Sequence, residues 1–273
     1  MRNLKRQLFA GPYMIWIVGF ILLPVVMILY YAFTTSSGSF TVSNVLTITH
    51  PIFFRALLFS LKLALVCTLI CLVLAYPLAM ILNNMKNGSQ GFIVFIFILP
   101  MWMNFMLRIL AWKMLLSNNG IINTILDFFG LPDLHIINTP AAVVLCMVYD
   151  FLPFMVLPIY NALARINRDV IEAAKDLGAG NITIFFKIIV PLSMSGVISG
   201  IIMVFVPALT SFAVSDLLGG GKVLLIGNII EQAFTQDYNW NLGAGLSFVL
   251  MIFVLVSMTL VNSRDTEGGA NVW

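Results

Sequence analysis

Few side chains in this 273-residue chain could do chemistry, so their placement carries most of the information. Asp150 follows Tyr149 inside an otherwise apolar run from about Ala141 to Ala164. Counted from an outer boundary near Ala141, it lies about 13 Å deep at a rise of 1.5 Å per residue. An ionised carboxylate at that depth is costly and either meets a partner or faces a cavity. Two readings follow: Asp150 pairs with a residue such as Arg108 or caps a break near Pro153, or it touches a cation in transit. Asp216, at the end of a later apolar run, is either an exposed loop acid or a further cation contact. Trp102 and Asn104 fall in the middle of another run, where the indole either packs or offers its face to a cation. Arg108, near the end of that run, is expected to snorkel to an interface.

Other reactive groups carry no pattern. Cys67, Cys71 and Cys146 all sit in apolar stretches and read as packing thiols, with no metal spacing among them. His50 and His135 lie in separate polar loops without ligand-like neighbours. Gly219-Gly-Gly-Lys222 is the nearest approach to a phosphate-cradling Gly-x-x-x-x-Gly-Lys-Ser/Thr loop, but it lacks both the spacing and the hydroxyl residue. No His/Asp cluster or Ser/Lys pair lies in the apolar runs, which argues against an intramembrane enzyme. The reading is therefore of a chain without a catalytic site, metal or cofactor of its own.

One polar stretch stands apart, from Arg165 to Pro191. Asp169 precedes Glu172 by three residues, the spacing of a capping box. Val170, Ala173, Ala174 and Leu177 then share one helical face. Gly178 is placed to end that helix in a left-handed conformation. Asn181 can cap a second short helix, which Pro191 is expected to close off from the apolar run that follows. The two alanines make the first helix thin enough to lie in another protein's groove.

The elements that position these groups are apolar helices. Hydrophobic residues make up 61% of the chain and charged residues 9%, against about 25% charged in a typical soluble domain. Lipid is therefore the solvent for most of the molecule, and a span needs roughly 20 apolar residues. Six such runs are expected: Leu8–Phe33, Leu57–Leu82, Phe92–Trp112, Ala141–Ala164, Leu192–Val214 and Leu242–Val261. The fold class is thus an all-α polytopic membrane protein, a single transmembrane domain over residues 1–273. Charge bias orients it. Arg2, Lys5, Arg6, Lys86, Arg165, Arg168, Lys175, Lys187 and Arg264 fall on one side, against Arg55, Lys62, Lys113 and Lys222 on the other. Nine against four places both termini and the 165–191 loop in the cytoplasm. The outer loops are then Thr34–Ala56, Lys113–Pro140 and Ser215–Asn241. A net charge of +3, dispersed along the chain, gives no nucleic-acid surface.

Glu172-Ala173-Ala174, Gly178, Ile188, Val190 and Pro191 keep a fixed spacing that resembles the cytoplasmic signature of binding-protein-dependent ABC importer permeases. The family pattern is Glu-Ala-Ala, three residues, Gly, nine residues, Ile-x-Leu-Pro, and Val190 for Leu is the one departure. The resemblance runs over a permease core at 56–262. It looks closest to the spermidine/putrescine permeases through Leu99-Pro-Met-Trp-Met-Asn-Phe-Met-Leu-Arg108, Leu152-Pro-Phe-Met-Val-Leu-Pro158 and Val214-Ser-Asp-Leu-Leu-Gly-Gly-Gly-Lys222. Permeases for sulfate, iron or other solutes share parts of these stretches. The resemblance implies that residues 165–191 form a cytoplasmic coupling loop between spans four and five. Glu172, Ala173, Ala174 and Gly178 would then dock in a dimeric ATP-binding subunit. It implies a second permease, for polyamine importers usually a different chain, and an extracellular substrate-binding protein. The location implied is a bacterial inner membrane. A secondary transporter would need several intramembrane ionisable groups, and Asp150 is nearly alone.

Overall fold

The computed structural model describes residues 13–85 and 90–269, with side chains described except at 90, 91, 93, 94 and 260–269. The described residues are helical apart from turns, short irregular stretches and one isolated bridge between Thr34 and Phe40. Four helices are long and apolar enough to cross a membrane: α1 (Tyr13–Ala32), α3 (Pro51–Asn84), α7 (Pro140–Ala164) and, within α13 (Trp240–Gly269), the stretch Trp240–Thr259. Two bent pairs bring the crossings to six where each pair counts as one. The expected start of the first span at Leu8 lies outside the described residues, as do Arg2, Lys5, Arg6 and Lys86.

The first bent pair corrects the expectation of a continuous span from Phe92 to Trp112. Helix α4 (Gln90–Ile98) tightens into a 3₁₀ turn over Leu99–Trp102, and Met103 is extended. Helix α5 (Phe105–Leu116) then sets out at 97° to the first half. Asn104 is not mid-span: it is the cap of α5, its side chain accepting from the backbone N–H groups of Met106 and Leu107. Pro100 cannot donate to a continuing helix, and an asparagine four residues later supplies the partners that a new helix needs.

The second bent pair corrects the fifth span. Helix α9 (Asn181–Leu192) continues through Pro191 rather than ending there, and the 62° break falls at Ser193, before α10 (Met194–Thr210). A π turn over Phe185–Ile189 explains how the helix survives its proline. Pro191 offers no N–H to the preceding turn, and the widened turn lets the Val190 N–H bond Phe185 O instead.

Between the crossings lie shorter helices: α2 (Ser43–Leu46), α6 (Ile121–Phe128), α8 (Arg168–Asp176), α11 (Ala213–Gly219) and α12 (Ile226–Thr235). The chain divides into two compact units. One comprises the described residues up to Ala56 together with Ile229–Val256. Its core is Ala56, Ile229 and Leu246, with Ile48, Phe53, Ile230 and Leu242 packed around them. The carbonyls at the end of α1 have no helical partners, and two asparagine amides serve them. Asn44 donates to Tyr31, Ala32 and Thr34, and Asn241 donates to Tyr31 and Thr34.

The other unit comprises the described residues of Leu57–Asn228 and those from Ser257 onward. Its centre is α7, which buries Val143, Met147, Met155 and Ile159 fully. Helix α10 lies against α7 on small residues. A Cβ on Gly196 would sit 2.5 Å from Pro158 O, and one on Gly200 would sit 2.7 Å from the Met155 sulfur. Without a hydrophobic drive between helices in lipid, such close backbone approach supplies the packing energy. Along α3, Leu63, Ala64, Cys67, Cys71, Ala75, Ala79 and Leu82 are buried at helical spacing, and all three cysteines are buried and free.

Candidate functional site

The 165–191 loop folds as a helix, a tight turn and a second helix leading into the apolar core. Its first helix, α8, begins at a cap different from the expected one. Asn167, not Asp169, is the cap residue, and its Oδ1 accepts from the Asp169 N–H at 3.1 Å. Asp169 sits within the first turn and Lys175 in the last, so both charges complement the helix dipole. At the other end Gly178 takes φ +83°. Its N–H reaches Lys175 O at 2.8 Å and the Ala179 N–H reaches Ala174 O at 2.9 Å, the two bonds of a Schellman turn. The second helix has Gly180 at its cap position, so Asn181, expected there, is the first residue of α9 and makes no capping bond.

This geometry sorts the faces of α8. Arg168, Ile171, Glu172 and Lys175 line a groove of about 500 Å³ with Asn83, Asn84 and Tyr160. Val170, Ala173 and Leu177 are exposed, Leu177 at 89%. Ala174 is half-buried and Glu172 exposed. An apolar leucine held that far into solvent gains nothing from the chain's own fold.

The candidates within the spans separate. Arg108 does not snorkel outward: its Nε lies 2.5 Å from Asp150 Oδ1, with the Asp150 side chain fully buried and that of Arg108 largely so. The other branch of the guanidinium, Nη1, donates to Pro100 O at 2.8 Å. That carbonyl stands at the break between α4 and α5, so one arginine ties the broken span to α7. Cys146 Sγ lies 3.7 Å from Asp150 Oδ2. Tyr149 points elsewhere, half-exposed and edge-on to Trp112. Trp102 is 77% exposed at the break, with one edge contact to Phe95. Asp216, in the first turn of α11, is exposed, and the Asn228 amide donates to its Oδ1. Asn228 also donates to Phe212 O and accepts from the Leu225 N–H, so it joins the two flanks of the glycine-rich turn. The structure brings Asp150 and Arg108 together. It leaves the 165–178 group apart from them, beyond the C-terminal end of α7.

Residues 68–263 match the family model described as binding-protein-dependent transport system inner membrane component. The chain belongs to this family. The permease is 41% identical over 260 residues to the spermidine/putrescine transport system permease protein PotB of Escherichia coli (strain K12), covering 92% of this chain and 94% of that one. It is 36% identical over 266 residues to the PotB protein of Haemophilus influenzae, covering 92% and 93%. A solved bacterial alginate ABC transporter, crystallised with an alginate pentasaccharide-bound periplasmic protein, superposes with a TM-score of 0.81 at 17% identity. That match covers 96% of the permease and 94% of the solved chain, and it shows the fold.

Two polar residues of the permease escaped sequence reasoning. Tyr76 on α3 and Ser193 at the α9–α10 break bond each other through their hydroxyls at 2.8 Å. Each stands within an apolar run, where a lone hydroxyl residue gives no period or spacing to read. The only signal was a nearby proline, Pro77 next to Tyr76 and Pro191 two residues before Ser193.

Proposed function

We propose that this permease forms half of the membrane pathway of a polyamine importer, with spermidine and putrescine as substrates. It would be driven by ATP hydrolysis in a dimeric partner subunit. The observation that carries the reading is the exposed face Val170–Ala173–Leu177, presented on a helix stiffened at both ends. A capped helix with a Schellman turn moves as a rigid body. A thin alanine face flanked by leucine fits an apolar cleft in another protein. The partner motor docks on this face with Ala173, Ala174 and the Gly178 turn, and Glu172 stands at the edge of the contact. ATP is bound and split there, not on this chain.

The relatives named for spermidine and putrescine support the substrate class. A flexible polycation needs carboxylates and aromatic faces along its path. Asp216, whose Oδ1 accepts from the Asn228 amide, and the exposed Trp102 ring have that chemistry. Asp150 would meet a passing ammonium only by releasing Arg108. The second permease is a related chain, and an extracellular polyamine-binding protein delivers the substrate. Both termini and α8 face the cytoplasm of a bacterial cell. The helix bundle is the two-state element that the motor biases between outward and inward openings.

Uptake of labelled spermidine and putrescine in a strain lacking this gene tests the substrate. It falls to background and returns with the gene on a plasmid. Unchanged uptake in a strain free of redundant systems rejects the assignment.

A further inference from the structure

The arm α9 leaves the coupling loop and meets α10 at an angle of 62°, with Ser193 at the corner. Three features make this corner a pivot rather than a passive bend. The π turn Phe185–Ile189 and Pro191 loosen the ladder just before it. Beyond the corner, α10 is locked to α7 by the Gly196 and Gly200 contacts. Ser193 itself is fully buried, and its hydroxyl lies 3.2 Å from Val190 O and 2.8 Å from the Tyr76 hydroxyl. Tyr76 also sets its ring at 90° to Phe185, centroids 5.7 Å apart. One side chain of α3 thus holds both the corner and the start of the π turn.

We infer that Tyr76 is a positioning residue for energy coupling: it holds the pivot at Ser193 so that a push on α8 moves α3 as well as α10. This rests on the proposed role of α8. Backbone continuity alone carries motion from α9 into α10, and Pro191 with the π turn makes that route soft. The Tyr76 hydroxyl and ring supply a second, stiff route into a neighbouring crossing. Pro77, the next residue, interrupts the α3 ladder at the same level, so α3 can bend where it is pulled. The expected consequence of cutting the link is slippage: the motor still turns over, but fewer substrates cross per ATP.

The test uses the full importer reconstituted in proteoliposomes, measuring both ATP hydrolysis and spermidine uptake. Tyr76→Phe keeps the ring on Phe185 and removes the hydroxyl, and Ser193→Ala removes the other half of the bond. Each is expected to lower uptake per ATP by about threefold to tenfold, the scale of one buried hydrogen bond. Stimulated hydrolysis stays near the wild-type rate. The double variant falls no further than either single one, and Ser193→Thr, which keeps a hydroxyl, restores the ratio. An unchanged ratio in Tyr76→Phe overturns the inference, as does a parallel loss of hydrolysis and uptake or an additive double variant. Ala173→Asp runs alongside: if it cuts coupling while Tyr76→Phe does not, only the pivot fails. If Ala173→Asp has no effect, the coupling role of α8 fails with it.

Discussion

Arg108 and Asp150 form a buried ion pair, 2.5 Å between Nε and Oδ1, that ties the broken span α4–α5 to α7. The arginine also donates to the Pro100 carbonyl, which accepts from the Met103 N–H at the break as well. One side chain thus meets both a buried charge and the backbone of the break, and irregular backbone inside an apolar protein is tolerated where the protein itself supplies such partners.

Removing one member of this pair leaves a buried charge alone. Arg108→Ala is expected to destabilise the purified protein by about 3–5 kcal/mol. Arg108→Met combined with Asp150→Leu recovers most of the loss, since neither charge then remains. Thermal unfolding in detergent, followed by tryptophan fluorescence, measures both.

Leu177→Asp changes a side chain that touches solvent on nearly all sides. Stability stays within about 0.5 kcal/mol of wild type. Co-purification with the ATP-binding subunit falls at least about tenfold, equivalent to about 1.4 kcal/mol of docking energy. Retained co-purification would remove the docking face from the proposal.

Gly178→Ala isolates backbone geometry from contact. No atom lies within 4 Å of the added Cβ, so the only penalty is the positive φ. The expected cost is about 1 kcal/mol, confined to the turn. Hydrogen exchange should show faster opening of the amides at Gly178 and Ala179, with the α7 amides unchanged.

Gly196→Ala tests the close approach of α10 to α7. The new Cβ would press on Pro158 O and the Ala162 Cβ, neither able to swing away. Overpacking is expected to cost about 1–3 kcal/mol. A lowered unfolding temperature, measured in the same detergent, checks it.

Asp216→Asn keeps the shape of the α11 turn and removes its charge. If Asp216 meets an ammonium group, the apparent KM for spermidine rises about fivefold, the value of roughly 1 kcal/mol for an exposed pair. Stimulated ATP hydrolysis at saturating substrate stays unchanged.

Much of this was legible in one dimension. The apolar runs show the spans because lipid solvation depends on composition along some 20 residues, a local property. The Gly178 turn was readable for the same reason: a left-handed residue just after a helical face is decided by its own backbone. The capping asparagine was missed because Asp169 and Asn167 both satisfy the local rule, and only the fold chose which side chain reaches back.

Composition and short-range pattern by themselves determined that this chain is a helical membrane protein with a capped polar helix between two spans. Those features need no distant partner to be favourable. Tertiary structure alone decided that Arg108 turns inward to Asp150, that the third and fifth spans break at Met103 and Ser193, and that Tyr76 grips the second break. Each depends on which side chain a neighbouring helix offers across lipid-free space, and no residue carries that information alone.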